Sequence, residues 1–369
     1  MRGSLLSLES NSARLQDSDG RTIDLPTSSL LALLRIDAPP QTTLALPQVD
    51  QRTAEPPAIV TLTDGQRWTC VITATQNQDD LNVRVPTAGH LQLPLDVVRR
   101  IQFKPASPPD LSPSLDRVML ANADLVEGTV LSINTHVEIE TDGSLTRIPL
   151  ASVASIDLVN PPTVPAPIRV WMTQGDIYAA EHIFQDPKGN LRAAAVAPGL
   201  DSWTPMADVT VWDPSSGWAI EAIEFAPRRL IPWASLEIES FEPEGERRWT
   251  PPPDVPPTPV RLGLSDIQLP GPMLVTWRLP RQAARCSGTV TLGNHPGPWA
   301  DCIVRVEQNG RILWQQRLNT HAPESSFVVE LGSEPQVSLR VLAGDYGPVQ
   351  DRVQLRLGWI LLIDDQEHN

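Results

Sequence analysis

Two short loops in the last quarter of the chain collect the side chains best suited to holding a ligand. Residues 293–301 read GNHPGPWAD and place His295, Trp299 and Asp301 close together. Residues 344–351 read GDYGPVQD and add Asp345, Tyr346 and Asp351. An aromatic ring offers its face to the C–H side of a sugar, and neighbouring carboxylate and amide groups bond the hydroxyls. This chemistry makes Trp299, His295, Asp301 and Tyr346 the candidate ligand-binding residues. Trp299 has an equally good alternative role as an apolar cap on the end of its own domain. Asp345 and Asp351 could share a calcium ion, although calcium asks for six or more oxygens and few are at hand. No other cofactor is suggested.

Catalysis finds less support. The six histidines (90, 136, 182, 295, 321 and 368) are scattered, and none stands at ligand spacing from another His or a Cys. The chain has no G-x-S-x-G, no H-E-x-x-H and no glycine-rich phosphate loop. Acidic pairs such as Glu237 and Glu239 fall at the period of a strand, where a solvated face explains them. We therefore expect no enzyme. Cys70, Cys286 and Cys302 form no metal motif; Cys286 and Cys302 could pair if their strands are neighbours, and otherwise all three suit small buried sites.

A net charge of −15 repels a phosphate backbone, and the densest basic runs are the isolated pairs at 99–100, 228–229 and 247–248. Nucleic acid and a polybasic membrane contact are thus excluded as expected partners. No apolar run approaches the ~20 residues of a membrane span. The start, MRGSLLSLESNSARLQD, lacks the apolar region of a secretion signal.

The elements that must position these loops are strands. Of 369 residues, 38 are proline, which helix interiors reject and turns, edges and linkers accept. The chain also repeats itself. Residues 3–36, 58–103 and 117–158 align with one another, and a fourth copy opens at 168–183 and closes at 230–241. An apolar residue precedes Pro26, Pro94, Pro149 and Pro232, and Leu30, Val98, Val153 and Leu236 follow each Pro by four positions. Leu33, Ile101 and Ile156 follow by seven, whereas the fourth copy has Glu239 there. Opening strands match at Val60/Leu62, Val118/Leu120 and Val170/Met172, with a small residue (Cys70, Gly128, Ala180) eight positions on. Asp-Gly turns at 19–20, 64–65 and 142–143 suit positive φ. Each unit of 35–45 residues should close as a small barrel.

Proline-rich spacers at 38–57, 104–115 and 160–167 predict barrels strung apart on stiff linkers. The first copy lacks an opening strand, so the start is expected to fall inside a repeat, with more chain and a signal peptide ahead of it. The fourth copy carries an insertion at about 190–229 bearing Trp203, Trp212 and Trp218. These tryptophans either line a groove or pack over the barrel they interrupt.

The segments VMLANADLVEGTVLSI and RIPLASVASIDL resemble the small Sm-like or SH3-like β-barrel repeats of multi-repeat envelope proteins of planctomycete-type bacteria. Residues 260–362 resemble the NPCBM domain, a β-sandwich module named for carbohydrate binding. The resemblance rests on VRLGLSDIQLPGPMLVTWRL, ARCSGTVTLGNH, ADCIVRVEQNGRILWQQRL, SSFVVELGSEPQVSLRVLAGDYG and QDRVQLRLGWIL. It departs near the end, where Leu355 takes the usual Trp place and Trp359 follows four residues later. The resemblance implies a glycan ligand and an extracytoplasmic location.

Independently, Val304/Val306, Ile312/Trp314, Phe327/Val329/Leu331 and Leu339/Val341 alternate as sandwich strands with Trp314 inward. Asn309-Gly310 marks a hairpin between two of them. The expected fold is all-β, with three or four barrel-like repeats on Pro-rich linkers and a C-terminal, jelly-roll-like β-sandwich. Its expected domains are 1–37 (truncated), 58–104, 116–159, 168–242 and 258–369. Two functions fit: a non-catalytic glycan-binding protein with the barrels as spacer, or a scaffold contacting envelope proteins without a glycan.

Overall fold

The computed structural model describes residues 3–9, 12–17, 19–35, 57–73, 80–86, 88–104, 114–164, 166–198, 203–213, 217–225, 229–245, 248–255, 262, 266–293, 297–347 and 352–363. Among them, regular structure is β-strand apart from four single-turn 3₁₀ segments, so the expected all-β class is the one observed. Among the described residues, no helix is long and apolar enough to cross a membrane. The chain divides into two compact units, Met1–Pro227 and Arg228–Asn369.

The repeat is written into the strand registers of the first unit. Strands Pro57–Leu62, Asp116–Leu120 and Ile168–Met172 each open a meander and pair with its last strand, Val98–Gln102, Val153–Asp157 and Ile220–Glu224 respectively. The facing pairs coincide: Leu62 with Val98, Leu120 with Val153 and Met172 with Ile220; then Val60 with Ile101, Val118 with Ile156 and Val170 with Ile223. The small residues Cys70, Gly128 and Ala180 occupy one shared register position opposite the opening strand. At Gly128 the reason is space, because a Cβ there would lie 2.2 Å from the Glu140 carbonyl oxygen.

Two expectations are corrected here. First, the segment after 190 is not an insertion. Strands Leu191–Pro198, Trp203–Pro205, Val209–Asp213, Gly217–Trp218 and Ile220–Glu224 are the rest of the third closed meander, and Trp212 packs on its core. The 230–241 segment belongs to the second unit instead. Ile220 and Ile223 are buried where a closing strand needs apolar residues, and Glu239 could not have served. Second, the copies are not strung apart. Closing strands pair with each other, Ile156 against Ile101 and Ile223 against Leu33, so each covers an edge that separated barrels would leave open. Asn160 and Thr163 of the third spacer are hydrogen-bonded onto the 58–104 copy. A buried polar seam joins that copy to the one beginning at 168. Gln66 donates to the Val196 carbonyl and accepts from the Ala179 N–H, while Asp176 accepts from the Thr69 N–H. The spacers 38–56 and 105–113 lie outside the described residues.

The second unit is a two-sheet sandwich. One sheet runs Leu230–Pro232, Val353–Leu362, Ala283–Leu292, Glu324–Glu330, with Ile267–Leu269 beside Val353–Leu362. The other runs Ile238–Pro243, Met273–Arg278, Gln336–Ala343, Asp301–Gln308, Arg311–Asn319. Each sheet thus recruits a strand from the segment at 230–243, ahead of the expected boundary at 258. Inward-facing residues alternate along the strands, and Trp233, Trp277 and Phe327 meet edge to face at centroid distances of 5.5 and 5.9 Å. Trp314 packs on Phe327 as its alternation predicts. Asn309 and Gly310 both have positive φ, the two-residue turn their sequence specifies. Cys286 is unbridged, so it does not pair with Cys302. Burial pushes the Cys70 and Cys286 thiols up to about 12, making them inert packing groups.

Candidate functional site: an exposed aromatic pair at one end of the sandwich

Antiparallel pairing brings the two sequence-distant loops together. Asp301 begins one strand and Ala343 ends its neighbour, with Cys302 facing Ala343. The turn before the first strand and the turn after the second therefore emerge at the same end of the sheet.

Local sequence shapes both turns. In Gly297-Pro298-Trp299-Ala300 the Ala300 N–H donates to the Gly297 carbonyl at 3.0 Å, and Pro298 presets the first corner. That leaves Trp299 at the apex. In Gly344-Asp345-Tyr346-Gly347 the Gly347 N–H donates back to Gly344, and Gly347 takes a φ of 75°. Gly344 is required by space, since a Cβ would sit 2.3 Å from the Asp301 carboxyl.

The outcome is an exposed ring pair. Trp299 and Tyr346 are 55% and 57% exposed, with ring centroids 5.4 Å apart and planes at 73°. Two rings set nearly at right angles make a corner, in which one can stack on an apolar face while the other walls its edge. Trp299 stands exposed at the apex of its turn and is not packed over the sandwich end as a cap.

Asp301 does not contribute a free carboxylate. It is 1% exposed and accepts from Arg317 Nε at 2.7 Å, from Arg317 Nη2 at 2.6 Å and from the Asp345 backbone N–H at 2.8 Å. The hydrogen bonds from Arg317 hold the Asp301 carboxyl below the ordinary carboxylate range and raise the guanidinium in turn. Its role, contrary to the expected contact with a ligand, is to latch the 344–347 turn against the strand that follows Trp299. Arg317 also donates to Asp345, whose side chain is 75% exposed. The sequence reading missed Arg317. It faces Ile303, one diagonal step from Asp301 on the adjacent strand, so only the hairpin register reveals it.

His295 and Asp351 lie outside the described residues. Asp345 is engaged by Arg317, and among the described residues no group of three His, Cys, Asp or Glu side chains could hold a metal ion. Leu355, at the position where the resembled family has Trp, is buried in the core against Gly288.

No family model matches the chain, and no curated protein matches it. Among solved structures, a CBM51 from Clostridium perfringens GH95 in complex with methyl-galactose is similar at 11% identity and a TM-score of 0.28, covering 36% of this chain and 99% of that one. CBM51-2 in complex with GlcNAc, with INT domains of Clostridium perfringens ZmpB, gives 13% identity and 0.31 over 52% of this chain and 44% of that one. Tandem CBM51 modules of the family 98 glycoside hydrolase from Streptococcus pneumoniae give 10% and 0.30 over 83% and 88%. At these distances the likeness says nothing about what this chain binds.

Proposed function

We propose that the second unit is a non-catalytic carbohydrate-binding module, its glycan seated in the corner between Trp299 and Tyr346. The observation that carries this reading is the exposed, mutually perpendicular ring pair, flanked by the charged groups of Arg317 and Asp345. A pyranose ring would stack its C–H face on one ring, with its hydroxyls bonded by the exposed carboxylate and guanidinium. The resemblance of residues 260–362 to carbohydrate-binding sandwiches supports the same reading and, with it, a location outside the cytoplasm. The first unit would then be a rigid platform. The three meanders at 57–102, 116–157 and 168–224, each closed by first-to-last strand pairing and the first two with a 3₁₀ turn before the closing strand, are best read as Sm-like or SH3-like barrels.

Affinity electrophoresis of the intact protein through gels containing soluble polysaccharides tests this. Retardation by at least one polysaccharide, abolished by Trp299→Ala while the thermal transition is unchanged, is the expected result. Equal retardation of both proteins would refute the site.

A further inference from the structure

The seam between the 58–104 and 168–224 copies is built on a local two-fold. Arg67 faces Ile177 across it. These two residues hold the same place in their copies, because Trp68 and Tyr178, one step on, face Val60 and Val170 of the opening strands. The turns ahead of them match bond for bond. Gly65 and Gly175 take φ values of 90° and 98°, and their N–H groups donate to the Leu62 and Met172 carbonyls. The Leu62 and Met172 N–H groups donate in turn to the Gln66 and Asp176 carbonyls. Gln66 and Asp176 are thus sister residues, and both are buried.

Each sister performs one task across the seam. The Gln66 side-chain oxygen accepts from the Ala179 N–H at 2.9 Å, and Asp176 Oδ1 accepts from the Thr69 N–H at 2.8 Å. Ala179 and Thr69 are equivalent as well, opposite Arg169 and Ile59. Two symmetry-related bonds therefore stitch the copies, one to a neutral amide and one to a carboxylate. The amide shows that this bond needs an oxygen and no charge. The surroundings of Asp176 are poor in compensation for a charge. Tyr178, whose ring stacks on Trp68, brings its hydroxyl 3.3 Å from Oδ2. Across the seam lie the Cys70 thiol and Arg67, whose Nε donates to the Gly175 carbonyl and whose charge also answers buried Glu221 of the Ile220–Glu224 strand. Asp64, likewise buried, accepts from the Gln66 N–H and Nε2 and feels the charge of Arg169, which Glu224 shares at 3.7 Å. Burial outweighs these partners and pushes the Asp176 and Asp64 carboxyls above the ordinary carboxylate range.

We infer that this seam is a pH-sensitive joint, which closes more firmly when Asp176 takes up a proton and loosens when Asp176 is charged. A protonated Asp176 keeps Oδ1 for the Thr69 N–H, as Gln66 keeps its amide oxygen for Ala179. Its proton on Oδ2 donates to the Tyr178 hydroxyl oxygen, and the penalty of an uncompensated buried charge disappears. The folded carboxyl is raised, so its stabilising contribution is complete below the ordinary value near ~3.9 and is lost as pH rises through the raised one. Acid therefore tightens the contact between these two copies, even while it weakens ion pairs elsewhere in the chain.

The test has two arms, both on the intact protein. In the first, the Asp176 carboxyl carbon is titrated by NMR, and its midpoint should lie above the ordinary value of about 3.9. In the second, amide hydrogen exchange at Thr69 is compared between the wild type and Asp176→Asn, which puts the sister copy's amide on both sides of the two-fold. At about pH 7.5 the variant should be protected at least about threefold more than the wild type, and the ratio should approach one as pH falls to about 4.5. A midpoint at or below the ordinary value would overturn the inference without any substitution. So would a ratio that does not change with pH, or a variant less protected than the wild type at the higher pH.

Discussion

At the scale of residues, ring orientation depends on a latch one step removed from the rings. Arg317 grips Asp301, and Asp301 in turn grips the N–H of Asp345, next to Tyr346. Arg317→Ala should therefore free the 344–347 turn, disorder the Tyr346 ring and weaken ligand binding without touching Trp299; the Tyr346 ring resonances would report it directly. The carboxyl of Asp301 is held below its ordinary range, so the latch is complete at neutral pH and is lost only as pH falls through that depressed value. The Tyr346 signal should thus stay constant from pH 7 to about 4.5, and a transition near pH 6 would contradict the latch. Sequence proximity grouped Asp301 with Trp299 but did not show that Arg317 and the Asp345 N–H occupy its carboxylate. A carboxylate two residues from an exposed indole looks like a hydroxyl acceptor until the register brings an arginine across the hairpin.

At the scale of elements, the same local device serves two destinations. Proline followed by one 3₁₀ turn recurs at 26–29, 149–152 and 232–235, with the serine hydroxyl donating to the proline carbonyl each time. In the first two cases it leads to a closing strand of the first unit. In the third it buries Trp233 in the sandwich, between Trp277 and Phe327. Local residues therefore made the motif legible, and they could not say which sheet it joins. The informative mismatch was Glu239, standing where the other copies have Leu33, Ile101 and Ile156; the spacing of Ile220 and Ile223 meets that requirement instead. Ile223→Ala should cost the first unit about 2–4 kcal/mol in chemical denaturation, whereas Glu239→Ala should leave that unit's transition in place. Trp233→Ala should lower the stability of the second unit by about 3–5 kcal/mol.

At the scale of the whole molecule, proline content and alternating apolar residues announced an all-β chain, and the Asn309-Gly310 hairpin and inward Trp314 followed from turn chemistry and period alone. Pairing between repeats was not legible, because a strand edge that accepts a neighbour reads the same as one that faces water. The boundary of the sandwich was hidden for a related reason: Leu230–Pro232 and Ile238–Pro243 are short strands whose partners lie far along the chain. A fragment beginning at Arg228 should unfold cooperatively with a native-like tryptophan spectrum. One beginning at residue 258 lacks both strands, exposes the edges beside Met273–Arg278 and Val353–Leu362, and should show no cooperative transition.

On the proposed reading, a glycan is held in the corner formed by Trp299 and Tyr346. A glycan array probed in parallel with the intact protein and with its Trp299→Ala and Tyr346→Ala variants tests it most directly. The expected result is a defined set of bound glycans whose signal falls at least about tenfold, or ~1.4 kcal/mol, in each folded variant. Binding that survives both substitutions, or a folded wild-type protein that binds no glycan, would contradict it.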